Sequence, residues 1–145
     1  MSEGHEPASL RLECQIAGQD FMAAGEAAAR IKKTLQQVGM SPETIRRTAI
    51  VAYEAEMNIV IHARKGKLTA IISPNGIDLI AEDEGPGIAD IDLAMQEGFS
   101  TASDEIREMG FGAGMGLPNI KRNSDRLAIH STVGAGTVLC ATILA

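Results

Sequence analysis

Glu54-Ala-Glu-Met-Asn58, Asp83-Glu-Gly-Pro-Gly87 and Gly112-Ala-Gly-Met-Gly-Leu117 follow one another in that order along the chain. The first stretch sets a carboxylate and an amide four residues apart. On a helix that spacing brings both to one face, one turn apart. The second puts a carboxylate directly ahead of two glycines, where a strand ends. The third, with Gly110 before it, has a glycine at every second position and leads into a helix. The elements around these stretches decide the fold.

Residues 9–16 alternate through Leu10, Leu12, Cys14 and Ile16, the period-two pattern of a half-buried strand. Phe21, Ala24, Ala28, Ile31, Leu35 and Val38 follow helical spacing, and Gly39 is a natural stop. Ser41-Pro42-Glu43 opens a second helix with a capping side chain, a proline at the first helical position and an acid at the positive end. That helix is expected to run to about Ala63. Lys67–Ser73 and Ile77–Glu82 flank Pro74-Asn75-Gly76 as a hairpin. Asp90–Glu97 predicts a short helix, residues 98–113 a mobile loop, and residues 116–126 a helix that accepts Pro118 in its first turn. Arg126–Val133 and Thr137–Leu144 close the chain as a second hairpin around Gly134-Ala135-Gly136. The order β-α-α-β-β-α-α-β-β predicts an α+β, two-layer sandwich: helices on one face of a mixed, mainly antiparallel sheet. Residues 9–145 are expected to form one domain, with residues 1–8 a disordered segment.

Composition narrows the function classes. A chain of 145 residues is about one domain, able to bury roughly two-thirds of its unfolded surface without metals or disulfides. One Tyr, three Phe and no Trp leave the core to Ile, Leu, Val, Ala and Met. A net charge of -6 and a pI near 5.0 argue against a nucleic-acid partner, which wants a basic face. No run approaches ~18 uninterrupted apolar residues, and the first residues lack the apolar segment of a signal peptide. The expectation is a cytoplasmic protein with no membrane span. Cys14 and Cys140, far apart in strand-like runs, read as buried small hydrophobes rather than a disulfide or metal pair. His5 and His130 lack ligand-like spacing.

The three opening stretches together hold the parts of an ATP·Mg²⁺ site. Asn58 offers a neutral oxygen to Mg²⁺, which keeps several waters and takes one or two protein oxygens plus phosphates. Glu54, one turn earlier, suits a group that orients or deprotonates an attacking hydroxyl. Asp83 can accept from an exocyclic amino group, with Gly85 and Gly87 allowing close approach. Bare amides at a helix start form an anion site. Each stretch alone also reads otherwise: Glu54 and Glu56 as solvated charges, residues 83–88 as a turn, the glycine run as a hinge. Neither a dinucleotide-binding GxGxxG nor a Walker loop is present.

Taken together, these stretches resemble the N, G1 and G2 boxes of the GHKL ATPase superfamily, shared by histidine kinases, gyrase B and MutL. Within it the chain is most similar to the small anti-sigma-factor serine/threonine kinases, the SpoIIAB, RsbW and RsbT group. The likeness runs from about residue 10 to 144. It is carried by Asn58-Ile-Val-Ile-His62, Glu82-Asp-Glu-Gly-Pro-Gly-Ile88, Gly98-Phe-Ser-Thr101 and Gly114-Met-Gly-Leu-Pro-Asn-Ile-Lys-Arg122, the last two being particularly similar to RsbT-like stressosome kinases. The resemblance implies the Bergerat ATP-binding fold and a protein-serine/threonine kinase using ATP and Mg²⁺. It implies that Asn58 binds Mg²⁺ and that Glu54 activates the attacking hydroxyl. Asp83 would receive the adenine amino group, with Gly85 and Gly87 beside the ring and Thr137 nearby. Gly112, Gly114 and Gly116 would wrap the phosphates, flanked by Met115 and Leu117. Arg107 would reach the γ-phosphate from a lid at 98–113, and His62 would play a supporting part. Ala102–Phe111 makes that lid longer and more acidic than in compact RsbT-like members.

The same resemblance implies a STAS-domain antagonist protein as substrate, with a sigma factor or a phosphatase as a further partner; a homodimer is compatible. Only roughly 15–20 residues precede the first expected helix. The expectation is therefore against a histidine kinase carrying its own phospho-acceptor helix, and against gyrase- or MutL-type ATPases, which draw a lysine from a following domain. The alternative left open is a nucleotide-sensing module that switches partners with little kinase activity.

Overall fold

The computed structural model describes residues 9–96 and 116–145. Residues 1–8 and the segment 97–115, which holds the expected lid with Arg107, Gly112, Gly114 and Met115, lie outside the described residues. The elements are β1 (Leu10–Ala17), α1 (Glu26–Gln37), α2 (Pro42–His62), β2 (Lys65–Ser73), β3 (Gly76–Glu84), α3 (Ile91–Ala94), α4 (Gly116–Asn123), β4 (Arg126–Thr132) and β5 (Gly136–Leu144).

The strands form one sheet in the order β1-β2-β3-β5-β4. Each pairing is antiparallel, so the mixed sheet expected from sequence has no parallel pair among the described residues. Both hairpins form where the turn residues put them, with Ser73 opposite Gly76 and Thr132 opposite Gly136. Register places Leu68, Ala81 and Leu139 in one row, with Ala70, Leu79 and Ala141 beside it. These side chains are buried. Of the alternate positions, Asp78, Glu82 and Cys140 are exposed and Ile80 is half-buried, while Thr69 is buried. That alternation is what a sheet with one covered face requires. Cys140 thus departs from the expected burial, because it falls on the open face; Cys14 is buried.

The covered face meets α1, α2 and α4 through Ile31, Leu35, Val51, Val60 and Ile120, each at most 1% exposed. The Ser41 hydroxyl caps α2 as expected, accepting from the Thr44 N–H at 3.3 Å. At the end of α1, Gly39 adopts φ 80°; its N–H reaches the Gln36 carbonyl and Met40 N–H reaches Leu35, a Schellman closure.

The start of α1 differs from expectation. Phe21 and Ala24 pack against the core, but from turns, and the helix begins only at Glu26. The reason is Glu56, which is 2% exposed rather than solvated. Its carboxylate accepts from the backbone N–H groups of Gly25, Ala27 and Ala28 at 3.0, 3.2 and 2.9 Å. A helix N-terminus presents donors and a positive dipole end, so a buried carboxylate delivered from α2 fixes where α1 can start.

Candidate active site

Two sides make up the site. The first is the face of α2 turned toward α4. Glu54 and Asn58 are half-buried there, one helical turn apart, as their spacing predicts. A Cβ added to Gly116, the first residue of α4, would stand 3.3 Å from Asn58 Oδ1. The amide of Asn58 therefore looks onto bare backbone at a helix N-terminus. It has no hydrogen-bond partner among the described residues. Leu117 is buried beneath this contact and serves the core. One turn on, Asn119 Nδ2 donates to Glu54 Oε2 at 2.6 Å, and Arg122 Nη1 donates to Asn119 Oδ1 at 3.0 Å.

The second side is the end of β3. Asp83 is half-buried and its Oδ1 accepts from the Thr137 N–H at 3.2 Å. Burial raises its carboxyl above the ordinary range, and the Thr137 amide opposes part of that rise. Oδ2 has no partner among the described residues. The loop after Asp83 is sewn to the β4–β5 hairpin: Gly134 N–H donates to the Pro86 carbonyl at 2.8 Å and Ile88 N–H to Ser131 Oγ at 2.6 Å. Ser131 Oγ also lies 2.9 Å from Thr137 Oγ1. Gly87 has φ 76°, and a Cβ there would come 2.5 Å from the Thr132 carbonyl oxygen, so this turn excludes any side chain. Gly85 faces Ala63, where a Cβ would be 3.1 Å from Cα. Both glycines thus have packing reasons of their own.

Of the sequence-expected residues, the described structure brings Glu54, Asn58 and Gly116 together on one side, and Asp83, Gly85, Gly87 and Thr137 on the other. Three contributors escaped the sequence reading. Ser131 and Asn119 are single polar residues inside elements, without any local pattern, and the run Leu117-Pro-Asn-Ile by itself assigns Asn119 no task. Gln19 is the third. Its φ is 64°, and its Nε2 donates to the Val60 and Ile61 carbonyls at 3.2 and 2.7 Å, closing the end of α2. Beyond that helix end lies an open hollow of about 460 Å³ lined by Gly18, Gln19, His62, Gly85 and Gly134, among others. It touches the expected site only at His62 and Gly85. Desolvation lowers the His62 imidazole below its ordinary 6.5.

The donor set fits ATP·Mg²⁺. An amide oxygen with no partner among the described residues, facing a glycine backbone, is the kind of hard, neutral ligand that a phosphate-bound Mg²⁺ accepts. No cluster of three His, Cys, Asp or Glu suited to a metal occurs among the described residues. Asp83, with one oxygen held and the other available, is an acceptor for a planar amino group.

Residues 19–143 match the family model of the histidine kinase-like ATPase domain. The chain belongs to this family. Other members locate it further. Over 122 residues, 81% of this chain and 84% of the relative, it is 34% identical to the serine/threonine-protein kinase RsbT of Bacillus subtilis. It is 40% identical over 91 residues to the anti-sigma F factor of a Thermoanaerobacter species, covering 59% of this chain and 60% of that one. The anti-sigma F factor of Geobacillus stearothermophilus is 30% identical over 122 residues, 79% of this chain and 80% of the relative. The five-stranded sheet with its helix layer agrees with the histidine kinase-like ATPase fold expected from the three motifs. No helix among the described residues is long and apolar enough to cross a membrane.

Proposed function

We propose that this chain is an ATP-dependent protein-serine/threonine kinase that phosphorylates a STAS-domain protein in a partner-switching pathway. One observation carries the reading. Glu54 and Asn58 share a half-buried face of α2 that meets the N-terminus of α4, in a chain 34% identical to a named serine/threonine kinase.

The roles follow from that arrangement. Asp83 holds the adenine amino group through Oδ2 while Thr137 N–H holds Oδ1. Gly116, at the head of α4, presents backbone to phosphate oxygens, continuing the glycine run through Gly112 and Gly114; Met115 and Leu117 flank it, and Arg107 is assigned to the γ-phosphate. Asn58 holds Mg²⁺, which when bound supplies charge neutralisation of the phosphates. Glu54 aligns the Ser or Thr hydroxyl of the docked protein and takes its proton through Oε1. A bond forms between the Ser or Thr hydroxyl oxygen and the γ-phosphorus, the bond from that phosphorus to the β–γ bridging oxygen breaks, and ADP leaves. The transition state is loose and charge-rich, so placement and electrostatics supply most of the acceleration. A sigma factor or a phosphatase is the further partner in this reading, and a homodimer is compatible with it.

A second reading is a nucleotide-sensing module that exchanges protein partners with little transfer; the relatives named anti-sigma F factor bear on the partner exchange alone. Incubation of the protein with ATP·Mg²⁺ and STAS-domain proteins, read by intact mass, separates the two. Kinase activity adds one phosphate to an acceptor, and Glu54→Ala abolishes the gain. Tight ATP binding with no transfer to any of them supports the sensing module.

A further inference from the structure

We propose that Asn119 is the positioning residue for Glu54, and that Arg122 fixes the orientation in which it acts. The inference rests on the kinase reading and adds a residue to its machinery.

The geometry leaves little freedom. Arg122 Nη1 and Asn119 Oδ1 are 3.0 Å apart, and Asn119 Nδ2 and Glu54 Oε2 are 2.6 Å apart. A guanidinium can only donate and an ionised carboxylate can only accept. The amide between them is therefore polarised one way: its oxygen must face Arg122 and its NH₂ must face Glu54. A flipped amide would set acceptor against acceptor on one side and donor against donor on the other. The bond to Glu54 is short and charge-assisted, the stronger class of hydrogen bond. Glu54 is half-buried, which strengthens the interaction relative to one in open water.

This arrangement suits a reactive carboxylate. With Oε2 held by Asn119, Oε1 is aimed rather than free to rotate, and a base oriented by a third group is the general logic of an activated acceptor site. The helix that supplies Asn119 also matters. Gly116 and Asn119 lie three residues apart on α4 and meet Asn58 and Glu54, four apart on α2. One short helix therefore touches both the proposed metal ligand and the proposed base.

The test uses the full-length chain and an acceptor that the wild type phosphorylates, with ATP dissociation constant, turnover number and melting temperature measured for Asn119→Ala, Asn119→Asp and Asn119→Gln. Asn119→Asp keeps the size and the acceptor for Arg122 but loses the donor to Glu54 and sets two carboxylates together. Positioning predicts turnover lowered on the order of a hundred-fold in both Ala and Asp variants, as a misplaced group costs. It predicts ATP affinity held within about two-fold, since in this reading Asn119 touches Glu54 and not the nucleotide. The Gln variant, which keeps an amide donor, recovers part of the rate. Equal turnover in wild type and Asn119→Asp overturns the inference and leaves the kinase reading standing. A parallel loss of ATP affinity and melting temperature in all three variants also overturns it, assigning Asn119 to helix packing alone. A wild type that phosphorylates no STAS-domain protein defeats the kinase reading itself and the inference with it.

Discussion

Glu54 and Glu56 stand two residues apart on α2, which turns them about 200° apart around the helix axis. On the face toward α1, Glu56 is 2% exposed and takes three backbone N–H groups into its carboxylate. On the face toward α4, Glu54 is half-buried and, among the described residues, accepts from one side-chain amide, that of Asn119. The same residue type on the same helix thus has two different sets of partners, which fits a structural part for Glu56 and the proposed catalytic part for Glu54. A carboxylate whose lone pairs are filled by backbone is part of the scaffold. One that is held by one oxygen and open at the other keeps capacity for a substrate proton.

Substitution sharpens that contrast. The largest effect is expected from Glu54→Ala: turnover in phosphate transfer falls about 10²–10⁴-fold, the usual contribution of a placed general base. ATP affinity from calorimetry and the melting temperature both stay near wild type. Glu56→Ala acts in reverse. Three amides at the start of α1 lose their acceptor, and unfolding in urea should show a loss of about 3 kcal/mol, as when charged hydrogen bonds are removed from buried donors. Transfer per folded molecule survives. If instead Glu56→Ala folds normally and Glu54→Ala melts early, the assignment of the two faces is reversed.

A further step down in effect is Asp83→Asn. The amide offers one oxygen where the carboxylate offered two, so the Thr137 N–H and an adenine amino group compete for it. ATP binding should weaken about tenfold, the worth of one charge-assisted hydrogen bond. Stability should move the other way. Because burial raises the Asp83 carboxyl, the unfolded chain ionises first as pH climbs past 3.8, and the folded state loses stability across that window. At neutral pH the variant, which never ionises, melts higher than wild type. Unchanged ATP affinity removes Asp83 from the nucleotide pocket.

The smallest expected effect concerns His62. Its imidazole is held below 6.5 by desolvation, so stability present above that pH is lost as pH falls through the lower folded value. Melting temperatures recorded from neutral to mildly acidic pH should fall less for His62→Gln than for wild type. Identical slopes would falsify that sign.

Much of the fold was legible because it rests on local patterns. Alternation in β1, the Ser41-Pro42 start of α2 and both glycine-bearing hairpin turns are signals contained within a few residues. The start of α1 was not, because its cap arrives from Glu56, 31 residues beyond Gly25. An acid in the middle of a helix reads as solvated unless the partner is known. Within the site, Glu54 and Asn58 were legible from their spacing and Gly116 from the glycine run, while Asp83 stood out by its place ahead of two glycines. Asn119 and Ser131 were illegible for one physical reason: each acts across a tertiary contact with a residue far away in sequence, and a lone polar side chain carries no period or motif. Gly87 was expected to make room for a ring, and the structure gives it an additional duty, the turn against Thr132.

If one side of the site binds the nucleotide and the other transfers its phosphate, transfer at saturating ATP·Mg²⁺ separates the two. Asp83→Asn and Glu54→Ala are assayed side by side with a STAS-domain acceptor by intact mass. Asp83→Asn should regain near wild-type transfer once ATP saturates it, because its defect is in binding, while Glu54→Ala stays silent at every ATP concentration. Recovery of Glu54→Ala at high ATP, or permanent loss in Asp83→Asn, would contradict the account.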